Sequence, residues 1–176
     1  MRRSYKTKCI AFSAILSALS VVILYLGSLL EVLDLSCAAL ASFAVVLVVI
    51  ELGGVYPYLV WLCTSTLSLV LLPNKFIALV YLLFAGIYPI LKARLDGLRA
   101  VFSWAVKISV FNVALILTWL ATKFIFSLQS EPFALEVVFF ALANLAFVLY
   151  DIAMSRIILL YIVKIRKRLK INKFFG

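Results

Sequence analysis

Basic residues separate the apolar stretches of this chain in an alternating pattern, and that pattern constrains the fold more than any motif does. Six apolar stretches fill most of the 176 residues. In chain order they cover residues 9–30, 35–50, 55–72, 76–91, 100–127 and 133–163. A helix of about 20 residues crosses the ~30 Å hydrocarbon core of a bilayer. The spacing therefore predicts an all-α, polytopic integral membrane protein with six transmembrane helices.

The second and fourth stretches hold only 16 residues each. A helix of that length does not reach across an average bilayer by itself. We expect these two helices to recruit interfacial residues, to thin the bilayer or to be shielded by their neighbours.

The orientation follows from where the basic residues lie. They precede the first stretch, separate the fourth from the fifth, and follow the sixth. These residues are Arg2, Arg3, Lys6, Lys8, Lys92, Arg94, Arg99, Lys164, Arg166, Lys167, Arg168, Lys170 and Lys173. The loops on the other side carry one basic residue, Lys75. Loops rich in Lys and Arg stay in the cytoplasm. The pattern predicts a multi-pass protein of the cell membrane with both termini and a basic tail, residues 164–176, in the cytoplasm.

Composition indicates one membrane domain and a lipid environment. Hydrophobic residues make up 67% of the chain, far above the share in a soluble domain. The loops are too short for a soluble catalytic module, so residues 1–176 are predicted to form a single transmembrane domain. The net charge of +10 comes from the loops and the tail, where it contacts anionic lipid headgroups. We expect the lipid bilayer, and no nucleic acid, as the partner of these charges.

Residue types and motifs that are absent from the sequence exclude several kinds of enzymatic chemistry. The chain has no histidine and no GxxxxGK[ST] phosphate-binding loop, which excludes His-based triads and independent ATP hydrolysis. Its three cysteines, Cys9, Cys37 and Cys63, match no metal or redox spacing. We therefore expect no enzymatic activity, no metal site and no cofactor.

The first stretch carries small residues at helical spacing. Ala14 and Ala18 form an AxxxA pair, and Ser13 and Ser17 form a second small-xxx-small pair beside it. Small side chains let transmembrane helices approach closely. This face packs either against helices of the same chain or against a separate membrane subunit, and the pattern alone leaves both open.

Polar residues of the fifth and sixth stretches pair in one register. Facing residues of an antiparallel hairpin have a nearly constant sum of residue numbers, as in the pairs Lys107 with Asp151, Asn112 with Asn144, and Lys123 with Glu136. Ionisable groups at membrane depth need partners, so the pattern predicts a hairpin in which the first two pairs are structural. The pair at the outer end lies near Trp119 and Gln129 and is a candidate solute pocket.

A further candidate lies in the second outer loop. Pro73-Asn74-Lys75 is a turn signal, and Tyr81 follows shortly after it. Lys75 is either a solvated lysine in a plain turn or, together with Tyr81, part of a lid that contacts an anionic or polar solute.

Six helices, two cytoplasmic termini and the Ala14–Ala18 motif resemble the substrate-binding S components of energy-coupling factor transporters. The resemblance covers the whole chain in layout. It implies a protein that captures a vitamin-like solute from outside and relies on a transmembrane coupling subunit and two cytoplasmic ATPases. By this resemblance, Ala14 and Ala18 are the docking residues. The N-terminal histidine ligands of the nickel and cobalt branch are absent from the sequence, which argues against metal uptake.

Other functions remain open from the sequence. A non-transporting scaffold of the cell envelope would also be small and helical. A secondary carrier or channel would favour two similar halves, yet the polar groups cluster in the second half. An intramembrane enzyme is disfavoured because no nucleophile–base pair stands out.

Overall fold

A computed structural model describes residues 2–30, 33–126 and 133–166. The chain forms α1 Arg2–Leu30, α2 Asp34–Glu51, α3 Tyr56–Leu71, α4 Lys75–Val80, α5 Tyr88–Leu95, α6 Ala100–Phe126 and α7 Phe133–Leu160. Single π-helical turns, Tyr81–Ala85 and Tyr161–Ile165, follow α4 and α7.

Among the residues that the structure describes, five helical spans are long and apolar enough to cross a membrane. They are Tyr5–Leu30, Asp34–Glu51, Lys75–Leu95, Val101–Phe124 and Glu136–Lys164. The remaining apolar helix, α3, has 16 residues. The prediction of an all-helical chain built from apolar, membrane-length helices is confirmed, whereas the number of crossings and their direction stay predictions.

Helix lengths differ from the sequence prediction in the middle of the chain. The fourth span, predicted as residues 76–91, runs over 21 residues from Lys75 to Leu95. It begins at Lys75 because Asn74 caps its first turn, and it continues through Lys92 and Arg94 because basic side chains suit the last turn of a helix. The short helix is instead α3, which stops at Leu71 because the extended backbone of Leu72 precedes a proline.

The connection between α2 and α3 is a tight turn at Gly53 and Gly54. Their φ angles are +61° and +58°, in the left-handed region that only glycine adopts without strain. This pair lets the chain reverse direction within a few residues.

The chain divides into two compact units. One unit is residues 9–128, with most of α1 and all of α2 to α6; the other is residues 1–8 and 129–176, which include α7. The prediction of a single transmembrane domain stays a prediction.

Helix α2 lies at the centre of the larger unit. It packs against α3, α4, α5 and the π-helical turn Tyr81–Ala85. Its buried side is lined with small and β-branched residues, among them Ala38, Ala41, Val45 and Val48. Small residues allow this many neighbours because they bring helix backbones close together. The resulting core fixes the interior surfaces of α1, α3 and α4, on which the candidate sites lie.

Candidate functional site

Helix α1 has a buried polar side and an exposed apolar side. Ser13 and Ser17 are only 6% and 7% exposed, whereas Ala14 and Ala18 are exposed. Ser20 is fully buried, and its hydroxyl donates to Leu16 O at 2.8 Å. The four predicted docking residues therefore fall on two different sides of α1, and only the two alanines are at the surface.

The exposed side of α1 is continuous over several turns. Its members share the spacing of one helical face and are Ala11, Ala14, Ile15, Ala18 and Val22. We name this surface the Ala14–Ala18 face. Its three alanines let another helix backbone approach closely at the centre of the surface, where large lipid-facing side chains would prevent it.

Lys75 binds the end of the preceding helix. Its ammonium group donates to Leu69 O at 2.8 Å and to Leu72 O at 2.7 Å. These carbonyls at the end of α3 have no further turn of helix to bind. Lys75 thus acts as a C-terminal cap for α3, a role that the sequence did not indicate.

Asn74 joins the starts of α2 and α4. Its Oδ1 accepts from the Phe76 N–H at 3.0 Å, and its Nδ2 donates to the Asp34 carboxylate at 2.8 Å. One amide therefore caps α4 and ties it to the first turn of α2. This link explains why the Pro73-Asn74-Lys75 turn has a defined structure.

The predicted solute-binding residues are only partly brought together. Lys123 Nζ lies 3.7 Å from the centre of the Trp119 ring, a cation–π contact. Tyr81 lies in the core rather than in an outer lid, with no exposed surface. Glu136 belongs to the other unit, and Gln129 lies outside the described residues.

Each predicted polar pair takes one residue from each unit, and the pairs stay predictions. Within the larger unit, Lys107 Nζ lies 2.5 Å from Asp96 Oδ1, and Lys92 Nζ lies 3.7 Å from Asp96 Oδ2. Asp96 was not predicted as a partner, because this residue follows the apolar part of the fourth stretch.

The two asparagines proposed as a structural pair both bind their own helices. Asn112 Nδ2 donates to Ile108 O at 2.9 Å, and Asn144 Nδ2 donates to Phe140 O at the same distance.

A cluster of buried hydroxyl groups lies inside the larger unit. The Tyr81 hydroxyl lies beside the hydroxyls of Thr64 and Ser20, and all three residues are 0% exposed. The Tyr81 hydroxyl interacts with those of Thr64 and Ser20, whereas the hydroxyls of Ser65 and Ser68 on α3 are buried without a hydrogen-bond partner. We name Ser20, Thr64 and Tyr81 the hydroxyl cluster.

The hydroxyl cluster draws on α1, α3 and the π-helical turn after α4. Ser20 is central in α1, Thr64 is central in α3, and Tyr81 opens the π-helical turn after α4. Turns of π-helix inside longer helices frequently occur at functional sites. The sequence signal for the cluster is the run of hydroxyl residues Thr64-Ser65-Thr66 inside an apolar stretch.

Glycine and tryptophan residues hold the Tyr81 ring in place. A Cβ atom at Gly86 would lie 2.5 Å from Trp61 Cδ1 and 2.8 Å from Tyr81 Cε1. Both rings therefore occupy the space that a side chain at residue 86 would need.

The class of protein that this fold defines is an all-helical chain, with five helical spans of membrane length in the part that the structure describes. Protein-family models, curated proteins and solved structures contain no match to the chain. Membership in the family of S components stays a prediction.

Proposed function

We propose that the protein is the membrane-embedded, substrate-binding subunit of an importer of the energy-coupling factor type. It captures a small vitamin-like solute from outside the cell, and partner ATPases supply the energy. In this proposal the chain crosses the cell membrane six times with both termini in the cytoplasm. The alternation of basic loops supports that orientation.

The observation that carries the proposal is the exposure of Ala14 and Ala18 on the surface of α1. Exposed positions on α3 include large side chains such as Leu62 and Val70, which suit contact with lipid tails. Two exposed alanines one helical turn apart offer lipid little surface but admit a partner helix. A transmembrane coupling subunit is the partner we propose for the Ala14–Ala18 face.

The remaining features of the chain are consistent with a subunit that depends on others. These 176 residues hold no phosphate-binding loop, which agrees with a subunit whose energy comes from partner ATPases. The short loops leave no room for a cytoplasmic motor domain. A solute site in the membrane interior and a docking surface on α1 would then divide the two tasks of the chain.

The experiment is a quantitative pull-down of membrane partners. Tagged wild-type protein is compared with the double variant Ala14→Trp and Ala18→Trp, whose bulk keeps a partner helix at a distance. We expect the recovered amounts of the coupling protein and its ATPases to fall at least about tenfold. A loss of ~1.4 kcal/mol of binding free energy has this effect. Because both positions are exposed, the thermal stability of the variant should match that of the wild type.

Val70→Trp is the matched control because residue 70 is 73% exposed on α3 and apolar. It should retain every partner. Equal recovery of partners with the double variant, or no ATPase with the wild type, would contradict the proposal.

A further inference from the structure

We infer that the C-terminal part of α7 binds the phosphate group of an anionic phospholipid through Arg156 and Lys164. We name Arg156, Leu160 and Lys164 the Arg156–Lys164 face. The inference rests on the proposed function in one respect, because it takes α7 to cross the membrane with its C-terminal end in the cytoplasm. It goes beyond that function because lipid binding at this face needs neither the coupling subunit nor the solute.

The length of the last helical span places Arg156 inside the hydrocarbon layer. The span Glu136–Lys164 has 29 residues, or about 43 Å of helix, which matches a bilayer together with its headgroups. Both ends of the span therefore reach the headgroups. Arg156 lies about 12 Å along the helix axis from Lys164, whereas the headgroup layer on each side of the ~30 Å core is about 7 Å thick. The Arg156 backbone is thus about 5 Å inside the hydrocarbon.

Arg156 is exposed on α7 and has no counter-charge on its own helix. The acidic residues of α7 are Glu136 and Asp151. Glu136 is about 30 Å away along the axis, and Asp151 is only 3% exposed. Within the described part of the chain Arg156 forms no ion pair. A charged group in hydrocarbon is unfavourable, and the long stem of arginine lets its guanidinium group extend to the headgroups. An anion at headgroup level is therefore the expected partner.

The π-helical turn Tyr161–Ile165 brings Lys164 towards the same side of the helix as Arg156. In a regular α-helix, two residues eight positions apart point about 80° away from each other. A π-helical turn uses more residues for each turn, so it rotates Lys164 back towards Arg156. Lys164 is exposed as well. Two cationic side chains at different depths therefore face one region of lipid, with the exposed Leu160 between them.

The side chains of the Arg156–Lys164 face define the chemistry of the ligand. A guanidinium group binds a phosphate through two parallel hydrogen bonds, and the Lys164 ammonium group adds a second positive charge at headgroup level. Ile157, Leu160 and Val163 are 42%, 60% and 61% exposed, so they offer apolar contact to acyl chains. A zwitterionic headgroup would bring its own positive charge to this face. The face therefore favours an anionic phospholipid.

Other occupants of this face fit less well. A second copy of the chain, related by a two-fold axis, would place Arg156 opposite Arg156, and like charges repel strongly in a low dielectric. A partner helix needs small residues for close approach. The exposed residues between Arg156 and Lys164 are instead large, as Leu160 and Val163 show.

The test titrates the purified protein with lipids that share acyl chains and differ in headgroup. The proteins are wild type, Arg156→Gln, Arg156→Lys, Lys164→Gln and the matched control Arg99→Gln, which removes one exposed positive charge between α5 and α6. Each protein is kept in micelles of an uncharged detergent. Phosphatidylglycerol, phosphatidylcholine or soluble glycerol 3-phosphate is added in increasing amounts. The melting temperature is recorded at each step, because a ligand of the folded state raises it.

We expect phosphatidylglycerol to raise the melting temperature of the wild type and of Arg99→Gln, and the other two probes to have little effect. Arg156→Gln should weaken the affinity for phosphatidylglycerol at least about tenfold, because charge-assisted hydrogen bonds are lost. Lys164→Gln should weaken it about fivefold, the effect of one basic residue near the membrane surface. Arg156→Lys keeps the charge without the parallel hydrogen bonds, so its affinity should lie between those of wild type and Arg156→Gln.

The melting temperature without lipid is the control for folding. Arg156→Gln should melt at or above the wild-type temperature, because an exposed charge at membrane depth is replaced by a neutral group. A lower melting temperature of Arg156→Gln without lipid would assign Arg156 a structural role and overturn the inference.

Further outcomes that overturn the inference concern the lipid response. They are equal affinities of wild type and Arg156→Gln, an equal loss in Arg99→Gln, or a response to phosphatidylcholine or glycerol 3-phosphate as large as that to phosphatidylglycerol. In the pull-down described above, Arg156→Gln should retain the ATPases, and their loss would assign Arg156 to a protein partner instead. Absence of the lipid response with ATPases recovered by the wild type leaves the proposed function intact. A lipid response without any ATPase contradicts the proposed function alone.

Discussion

The indole Nε1 of Trp61 donates a 3.0 Å hydrogen bond to the backbone oxygen of Leu82. In a regular helix that oxygen would accept from the N–H of Gly86. Here the Gly86 N–H bonds Tyr81 O at 2.8 Å instead, which creates the π-helical turn and leaves Leu82 O to another donor. Trp61 therefore ties α3 to the one irregular turn of the fourth span and supports the position of Tyr81.

Trp61→Phe should destabilise the protein by about 1–3 kcal/mol, because a carbonyl in an apolar interior loses its donor. The free energy of unfolding can be measured by titrating the protein in mixed micelles with a denaturing detergent. Trp104→Phe is the control: it removes an indole of similar size whose ring contact with Lys107 a phenyl ring can keep. Equal losses in the two variants would show that the Trp61 hydrogen bond contributes nothing.

Gly27→Ala tests the close approach of α1 and α2. A Cβ atom at residue 27 would lie 2.6 Å from Cys37 Cβ and 3.0 Å from Ile77 Cδ1, and the first of these atoms cannot move without its backbone. We expect a loss of about 1–3 kcal/mol from overpacking. Gly97→Ala, whose nearest atom is 3.8 Å away, should change the unfolding free energy little. A neutral Gly27→Ala would mean that α1 and α2 are further apart than described.

The sequence predicts the length of a helix well where the apolar run is long. Long apolar runs such as residues 100–127 predicted α6 closely, because the membrane requirement for about 20 apolar residues leaves few alternatives. The same rule failed for residues 76–91, because it ended the predicted helix just before the charged residue Lys92. Helix α5 continues past that lysine because the ammonium lies 3.7 Å from Asp96, a contact that hydropathy does not encode.

Asn74→Asp separates the two roles of Asn74. The new carboxylate still caps α4 through its oxygen, but it replaces the donor to Asp34 with a second negative charge. We expect the variant to lose about 1–2 kcal/mol, and Asn74→Asp combined with Asp34→Asn to recover much of it, because the donor and acceptor are exchanged. Strictly additive losses in the double variant would show that the 2.8 Å contact between these side chains contributes nothing.

Two double-mutant cycles on Lys107 distinguish its partners. The cycle of Lys107→Met with Asp96→Asn should give a coupling of about 1 kcal/mol, since the Asp96 side chain is 49% exposed and water screens the pair. The parallel cycle of Lys107→Met with Asp151→Asn tests the predicted hairpin of the fifth and sixth stretches. A coupling in the second cycle would support that register, whereas additive effects of Lys107 and Asp151 would refute it.

The hydroxyl cluster could not be predicted from the sequence for a physical reason. Serine and threonine are common in transmembrane helices, and most of them bind their own backbone, as Ser20 does with Leu16 O. Only the packing of α1, α3 and α4 shows that Thr64 and Tyr81 are buried without such bonds. Likewise, the AxxxA motif was visible in the sequence, but the pattern gave no means to separate exposed Ala18 from buried Ser17.

Photocrosslinking from the Ala14–Ala18 face tests the central claim most directly. A benzophenone amino acid is placed at residue 18 in cells, and in a matched strain at residue 70, which is 73% exposed on α3. The account predicts one discrete crosslink from residue 18 to a separate membrane protein, with the ATPases retained in the same complex, and none from residue 70. Crosslinks to lipid alone from residue 18, or the same protein adducts from both positions, would contradict it.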